Sequence, residues 1–191
     1  MFNYFRQYIV VLYNVPSVVY EGLVSMLCIG AVLILAFIGF RRSLKYIAGL
    51  LLTEYVFLLF YMTVFYRESS ACISGHNFHP FWSYAVIRQG NDFLFVENIM
   101  NTVAFIPVGF LLSPCMRCKK ENINWTSGWL FALFVGLCIS VSIEALQYFN
   151  HRGFSEFDDV FHNTLGTLIG YGLWIVVNVF IIKVKNNSLY V

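Results

Sequence analysis

"WTSGWLFALFVGLCISVSIEALQYFNHRGFSEFDDVFHNTLGTLIG", residues 125–170, decides the architecture. Its first part, Trp125–Phe149, is an apolar run long enough to cross a bilayer, which takes about 20 residues. A polar link follows, carrying Arg152, Glu156, Asp158, Asp159 and two histidines. A second apolar run, Thr164–Ile182, then crosses back. Polar chemistry is therefore gathered where the chain turns around.

The same reading extends outward. The chain has 191 residues, of which 59% are hydrophobic, 19% aromatic and only 12% charged, and its mean hydropathy is +0.71. Soluble domains carry about 25% charged residues, so an ordinary soluble domain is excluded. Further spans are expected at Glu21–Phe40, Leu44–Tyr66 and Phe95–Leu112. The predicted fold is all-α, a polytopic transmembrane helical bundle. The leading "QYIVVLYNVPSVVY" is broken by Asn14 and Pro16, so it is expected at the interface rather than across it. It lacks the cleavage pattern of a signal peptide.

Charge placement sets the predicted topology. Arg41, Arg42, Lys45, Arg117, Lys119, Lys120, Lys183 and Lys185 fall on one side, leaving Arg6, Arg67, Arg88 and Arg152 on the other. The basic side of a membrane protein is cytoplasmic. The amino terminus is then outside and the carboxyl terminus inside, with all four histidines and the acids Glu68, Asp92, Glu97, Glu156, Asp158 and Asp159 outside. Nothing in this pattern points to nucleic acid. The five cysteines form no disulfide framework, and "CMRC" (115–118) is half a zinc ligand set without a second pair. Neither a metal nor a cofactor is expected.

The outward-running span Trp125–Phe149 places Glu144 and Gln147 in its last two turns, three residues apart and on one face. Gly136, Ser140 and Glu144 continue that face, and small residues there favour a close protein neighbour. Asp159, Asn163, Gly166 and Gly170 form a second stripe. Asn98 and Asn101 begin the third span at the same level, with Arg152 as the nearby cation. Such groups are too costly to leave in hydrocarbon, so they pair or line a wet recess. One reading is a pocket for a polar or phosphate-bearing head group, built from Asn98, Asn101, Glu144, Gln147, Arg152, Asp158, Asp159 and Asn163, with membrane lipids around it. Arg152 would face phosphate there. The other reading is structural: Glu144 pairs with Arg152, Asp158 or Asp159 caps the last span, and the asparagines bridge helices.

The aromatic link "GHNFHPFWSY" (75–84) is expected to fold back onto the bundle or the lipid interface. His76, His79, His151 and His162 are expected to be interfacial or solvated. No nucleophile is picked out for catalysis. Glu54, in the middle of "LLTEYVFLLFY", is an expensive residue at that depth; a neutral carboxyl bonded to a neighbouring helix and a proton relay are the two options, and Asn178 poses a milder version.

The blocks "YVFLLFYMTVFYRES", "FHPFWSY", "ENIMNTVAFIPVGFLL", "SIEALQ" and "FDDVFHNTLGTLIGY", in this order, resemble the VanZ-like membrane proteins across roughly Leu44–Leu173. The resemblance falls on Arg67, Pro80, Phe81, Asn98, Asn101, Pro107, Gly109, Glu144, Gln147, Arg152, Asp159, Asn163 and Gly166. It implies a four-helix core, residues 44–182, in a bacterial plasma membrane. Residues 1–43 would add an extra amino-terminal transmembrane helix, and 183–191 a short cytoplasmic tail. It also implies a link to resistance against teicoplanin, a lipid-tailed glycopeptide. Two functions follow as expectations. One is binding of a lipid-anchored cell-wall precursor or lipoglycopeptide at the outer leaflet; the other is an enzyme or transporter acting on a lipid-linked phosphate or lipid.

Overall fold

The computed structural model describes residues 22–24, 26–28, 30–31, 40–66, 75–115 and 125–187. Four long helices dominate. α1 covers Phe40–Phe60 and runs on through a π turn, Tyr61–Phe65. A short α2, Trp82–Ile87, precedes α3, Asp92–Cys115. α4 spans Trp125–Phe149 and α5 spans Phe157–Asn187. Residues 45–65, 92–115, 126–149 and 157–181 are each long and apolar enough to cross a membrane.

These bounds correct the sequence reading of two spans. The last span begins at Phe157 rather than Thr164, so the acidic stretch is the first two turns of a helix and not a link. It also continues past Ile182 to Asn187. The third span starts at Asp92 rather than Phe95. Asn91 explains that start: its Oδ1 accepts from the N–H groups of Phe93 and Leu94, at 3.0 and 3.1 Å, as an N-cap does. The extra span expected over 21–40 falls largely outside the described residues.

The most extensive contact in the bundle joins α3 to α5. The two run parallel, because Gly166 lies against Thr102 while Gly170 lies against Ile106. A Cβ at Gly166 would stand 2.0 Å from the Thr102 carbonyl oxygen, one at Gly170 1.9 Å from that of Ile106, and one at Gly109 1.8 Å from that of Thr167. Backbones meet here with no side chain between them, the packing that membrane helices use where lipid removes the hydrophobic drive. α4 runs antiparallel to α5, with Gly136 on Thr167 and Gly128 under the Tyr171 hydroxyl. α1 joins through Tyr55, whose hydroxyl donates to the Ala104 carbonyl at 2.8 Å.

The apolar interior is modest: Leu59, Val64, Phe105, Val108 and Ile143 form one cluster, and Leu112, Ala132 and Tyr171 another. Large apolar side chains such as Leu130, Phe134, Val176 and Phe180 are exposed. In a membrane protein these face lipid, so their exposure is expected.

Between the spans, β1 (Gly75–Asn77) pairs in parallel with β2 (Phe154–Glu156), His76 opposite Ser155. This pairing and α2 bring the aromatic link back onto the bundle, as its composition suggested.

Candidate functional site

The end of the bundle where α1 and α4 finish and α3 and α5 begin holds the polar side chains. Asp158 is its centre. It is fully buried, and its carboxylate accepts from the Phe81 N–H (2.6 Å), the Ser83 N–H (3.0 Å) and the Ser83 hydroxyl (2.5 Å). The expected cap on its own helix is therefore corrected: Asp158 sits inside α5 and caps α2 instead. Phe81 immediately precedes α2 in a left-handed conformation, φ 60°, which a bulky residue seldom adopts. The carboxylate holds that bend.

Other polar contacts tie the remaining elements together. Asn98 donates from Nδ2 to the Ser83 hydroxyl at 3.0 Å, fixing α2 to α3. Asn101 Nδ2 donates to Asp159 Oδ1 at 2.7 Å, joining α3 to α5. Asn163 Nδ2 donates to Ser140 Oγ at 2.9 Å, joining α5 to α4. The Glu156 N–H donates to Glu144 Oε2 at 3.0 Å, anchoring β2 on α4. The stripes read from the sequence thus do face protein, with the α5 stripe divided between α3 and α4.

Gln147 and Arg152 serve the end of α1. Gln147 Nε2 donates to the Thr63 carbonyl at 3.1 Å. Arg152 Nη1 donates to the carbonyls of Val64 at 3.1 Å and Phe65 at 2.5 Å. A cation at a helix C-terminus satisfies orphan carbonyls and the dipole together. Arg152→Met is accordingly expected to destabilise the detergent-solubilised chain by about 1–2 kcal/mol, seen as a lower thermal midpoint. An unchanged midpoint would show that these carbonyls need no cation.

Sequence reasoning missed Ser83, Tyr84 and Thr63. His162 was expected at the interface or in solvent; it is buried, its Nδ1 is 2.6 Å from the Asp158 carbonyl and its Nε2 is 2.9 Å from the Tyr84 hydroxyl. A carbonyl only accepts, so Nδ1 carries a proton; in the neutral ring Nε2 then accepts from Tyr84. The available signal was "PFWSY" (80–84), a Pro-led turn with a serine able to meet a capping acid.

Among the described residues, three buried polar atoms at this end have no hydrogen-bond partner: Gln147 Oε1, Trp82 Nε1 and Thr164 Oγ1. Around them stands a rim of exposed aromatics, including Phe81, Tyr84, Tyr148, Phe149, Phe154 and Phe157, the residue type that collects at a membrane–water boundary. An open depression beside the α2–α3 turn is lined by Val86, Gln89, Gly90, Asn91, Asp92 and Phe93; none of the eight predicted site residues forms its wall. Among the described residues no three His, Cys, Asp or Glu side chains cluster as a metal site would.

Four apolar spans knotted at one end by buried amides and carboxylates define a multi-pass membrane protein with a polar head layer. The chain belongs to the VanZ/LLP1 family, whose model matches residues 50–178. No curated protein and no solved structure matches it.

Proposed function

We propose that this VanZ-like protein binds a lipid-anchored polar molecule, a cell-wall precursor or a lipid-tailed glycopeptide, at the outer leaflet, and so contributes to teicoplanin-type resistance. The observation that carries the reading is Gln147 Oε1, a buried acceptor with no donor among the described residues. Buried acceptors in folded proteins are paired in the great majority of cases, and an exception calls for a reason. Sugar hydroxyls and peptide N–H groups are the donors that such head groups bring. The outer side is argued from the basic residues on the opposite loops.

Within this proposal the predicted residues divide by task. Asp158, Asn98, Asn101 and Asn163 hold elements together, whereas Gln147 and Arg152, at the end of α1, present the recognition chemistry. Glu144 and Asp159 support that arrangement through β2 and α3.

The test is affinity of the full chain in nanodiscs for teicoplanin and for an undecaprenyl-linked precursor, with vancomycin as the tail-free comparison. Gln147→Leu is expected to weaken binding about tenfold, the equivalent of one hydrogen bond of about 1.4 kcal/mol. Equal affinity in a folded Gln147→Leu variant would refute the assignment. Turnover or translocation of the precursor would point to an enzyme or transporter instead.

A further inference from the structure

No nucleophile stands out in the sequence, but the folded head layer presents one. Tyr84 on α2 is 41% exposed, and its hydroxyl lies 2.9 Å from Nε2 of the buried His162. The Nδ1 of that ring is 2.6 Å from the Asp158 carbonyl, which keeps the proton on Nδ1 and leaves Nε2 to accept. An accessible hydroxyl, a base within hydrogen-bond reach and a third group orienting the base form the arrangement that activates a nucleophile.

The surroundings suit this transfer. The Tyr84 and His162 rings are 21° from parallel, and Phe81 and Phe161 stand edge-on to them, at 6.0 and 5.3 Å. These apolar rings limit water around the shared proton, which strengthens the hydrogen bond relative to bulk solvent. Arg88 follows Tyr84 by four residues, its N–H bonded to the Tyr84 carbonyl, so both side chains leave one face of α2. Arg88 is exposed, and its planar cation fits phosphate oxygens.

Exposure alone does not set Tyr84 apart. Tyr46 and Tyr148 are each 44% exposed. The Tyr46 ring lies under the Lys45 ammonium, and the Tyr148 ring meets that of His76 edge-on, with centroids 5.7 Å apart. What distinguishes Tyr84 is an imidazole nitrogen in front of its oxygen.

The geometry points to Tyr84 as a nucleophile activated by His162, accepting a phosphoryl group from a phosphoric anhydride at the membrane surface. The Tyr84 Oη–P bond forms as the bridging P–O bond breaks, and the departing phosphate keeps the electron pair. The phenolic proton passes to His162 Nε2 and from there to that phosphate. Arg88 faces the charge developing on the phosphoryl oxygens. The site shares no residue with Gln147 or Arg152, so it stands or falls separately from the binding function.

The test treats the full chain in nanodiscs with a fluorophosphonate, a phosphoryl electrophile whose P–F bond breaks to release fluoride, followed by peptide mass spectrometry. An adduct is expected on Tyr84, lost in Tyr84→Phe, and formed at least about tenfold faster than on Tyr46 or Tyr148. In His162→Gln the new side chain still accepts from Tyr84 but takes no proton. Labelling there is expected to fall at least about tenfold, since general-base help is worth roughly 10²–10⁴-fold. Amide exchange over residues 81–87 should stay unchanged, which separates a lost base from a displaced ring. Arg88→Gln is expected to slow the reaction about threefold, the scale of an exposed charge contact. Equal rates on Tyr46, Tyr84 and Tyr148, or an undiminished rate in folded His162→Gln, would overturn the proposal. An unchanged rate in Arg88→Gln would remove the phosphoryl assignment. The comparison of tyrosines in the unaltered chain decides the matter even where His162→Gln disturbs α2 or fails to fold.

Discussion

Gly166→Ala and Gly170→Ala are each expected to lower the thermal midpoint of the purified protein by roughly 6–12 °C, and together to prevent recovery of a monodisperse chain. One added methyl would stand 2.0 Å from the Thr102 carbonyl oxygen, the other 1.9 Å from that of Ile106. Backbone atoms cannot rotate aside, so α3 and α5 must separate along the most extensive contact in the bundle. Overpacking costs typically 1–3 kcal/mol, and the upper end applies where the obstacle is main chain. For a chain of this size about 3 kcal/mol corresponds to the stated shift, against a total stability of only about 5–15 kcal/mol.

Two comparisons isolate the cause. Gly128→Ala would meet an obstacle equally close, at 1.8 Å, but that obstacle is the Tyr171 hydroxyl, the far end of a side chain; a smaller loss is expected. Gly49→Ala would find Cys115 Sγ at an ordinary 3.7 Å. It should be neutral or gain a few tenths of a kcal/mol, since alanine is the better helix former. Thermal scans that rank all four variants alike would remove the close backbone contact as the basis of the fold.

Part of this was legible before any coordinates. Periodicity located Gly166 and Gly170 on one stripe with Asp159 and Asn163, and the small-residue argument turned Gly136 and Ser140 toward a neighbouring helix. Both deductions concern residues three or four apart, where helix geometry alone decides. The helix starts were less legible, because Asp92 and the stretch from Phe157 to Asn163 look polar or aromatic although they lie within helices. Within the second stretch, the polar groups of Asp158, Asp159 and Asn163 are met by partners distant in sequence. Asp158 shows this most clearly: the donors it meets belong to Phe81 and Ser83, 77 and 75 residues earlier. A capping acid beside a helix start suggests its own helix as the partner, and only the return of the aromatic link through β1 and α2 redirects it. Gln147 had a legible face, but the end of α1 that receives it required the packing.

Asp158→Ala is expected to release α2 while leaving the four long helices in place. The substitution strands the N–H groups of Phe81 and Ser83 and the Ser83 hydroxyl, all now facing the carboxylate. Leaving a buried donor unsatisfied costs about 1–3 kcal/mol. A net local loss of about 3 kcal/mol remains after some donors find water, and that is roughly a hundredfold faster amide exchange over residues 81–87. The left-handed Phe81 adds to the effect, since its bend loses the group that holds it. Asp158→Asn should lie between the two: it retains one acceptor but turns an amide toward donors. Asp159→Asn touches a different contact, the one from Asn101, and should leave exchange over 81–87 near its original rate. Aromatic packing offers the competing explanation for the docked link, because the Phe81 ring stands edge-on to Phe161 at 5.1 Å and to Phe157 at 6.3 Å. Were ring packing the main tether, Phe81→Leu would raise exchange there and Asp158→Ala would not. The carboxylate account requires the opposite order, because ring contacts add about 0.5–1.5 kcal/mol each, less than the loss of three buried acceptor contacts.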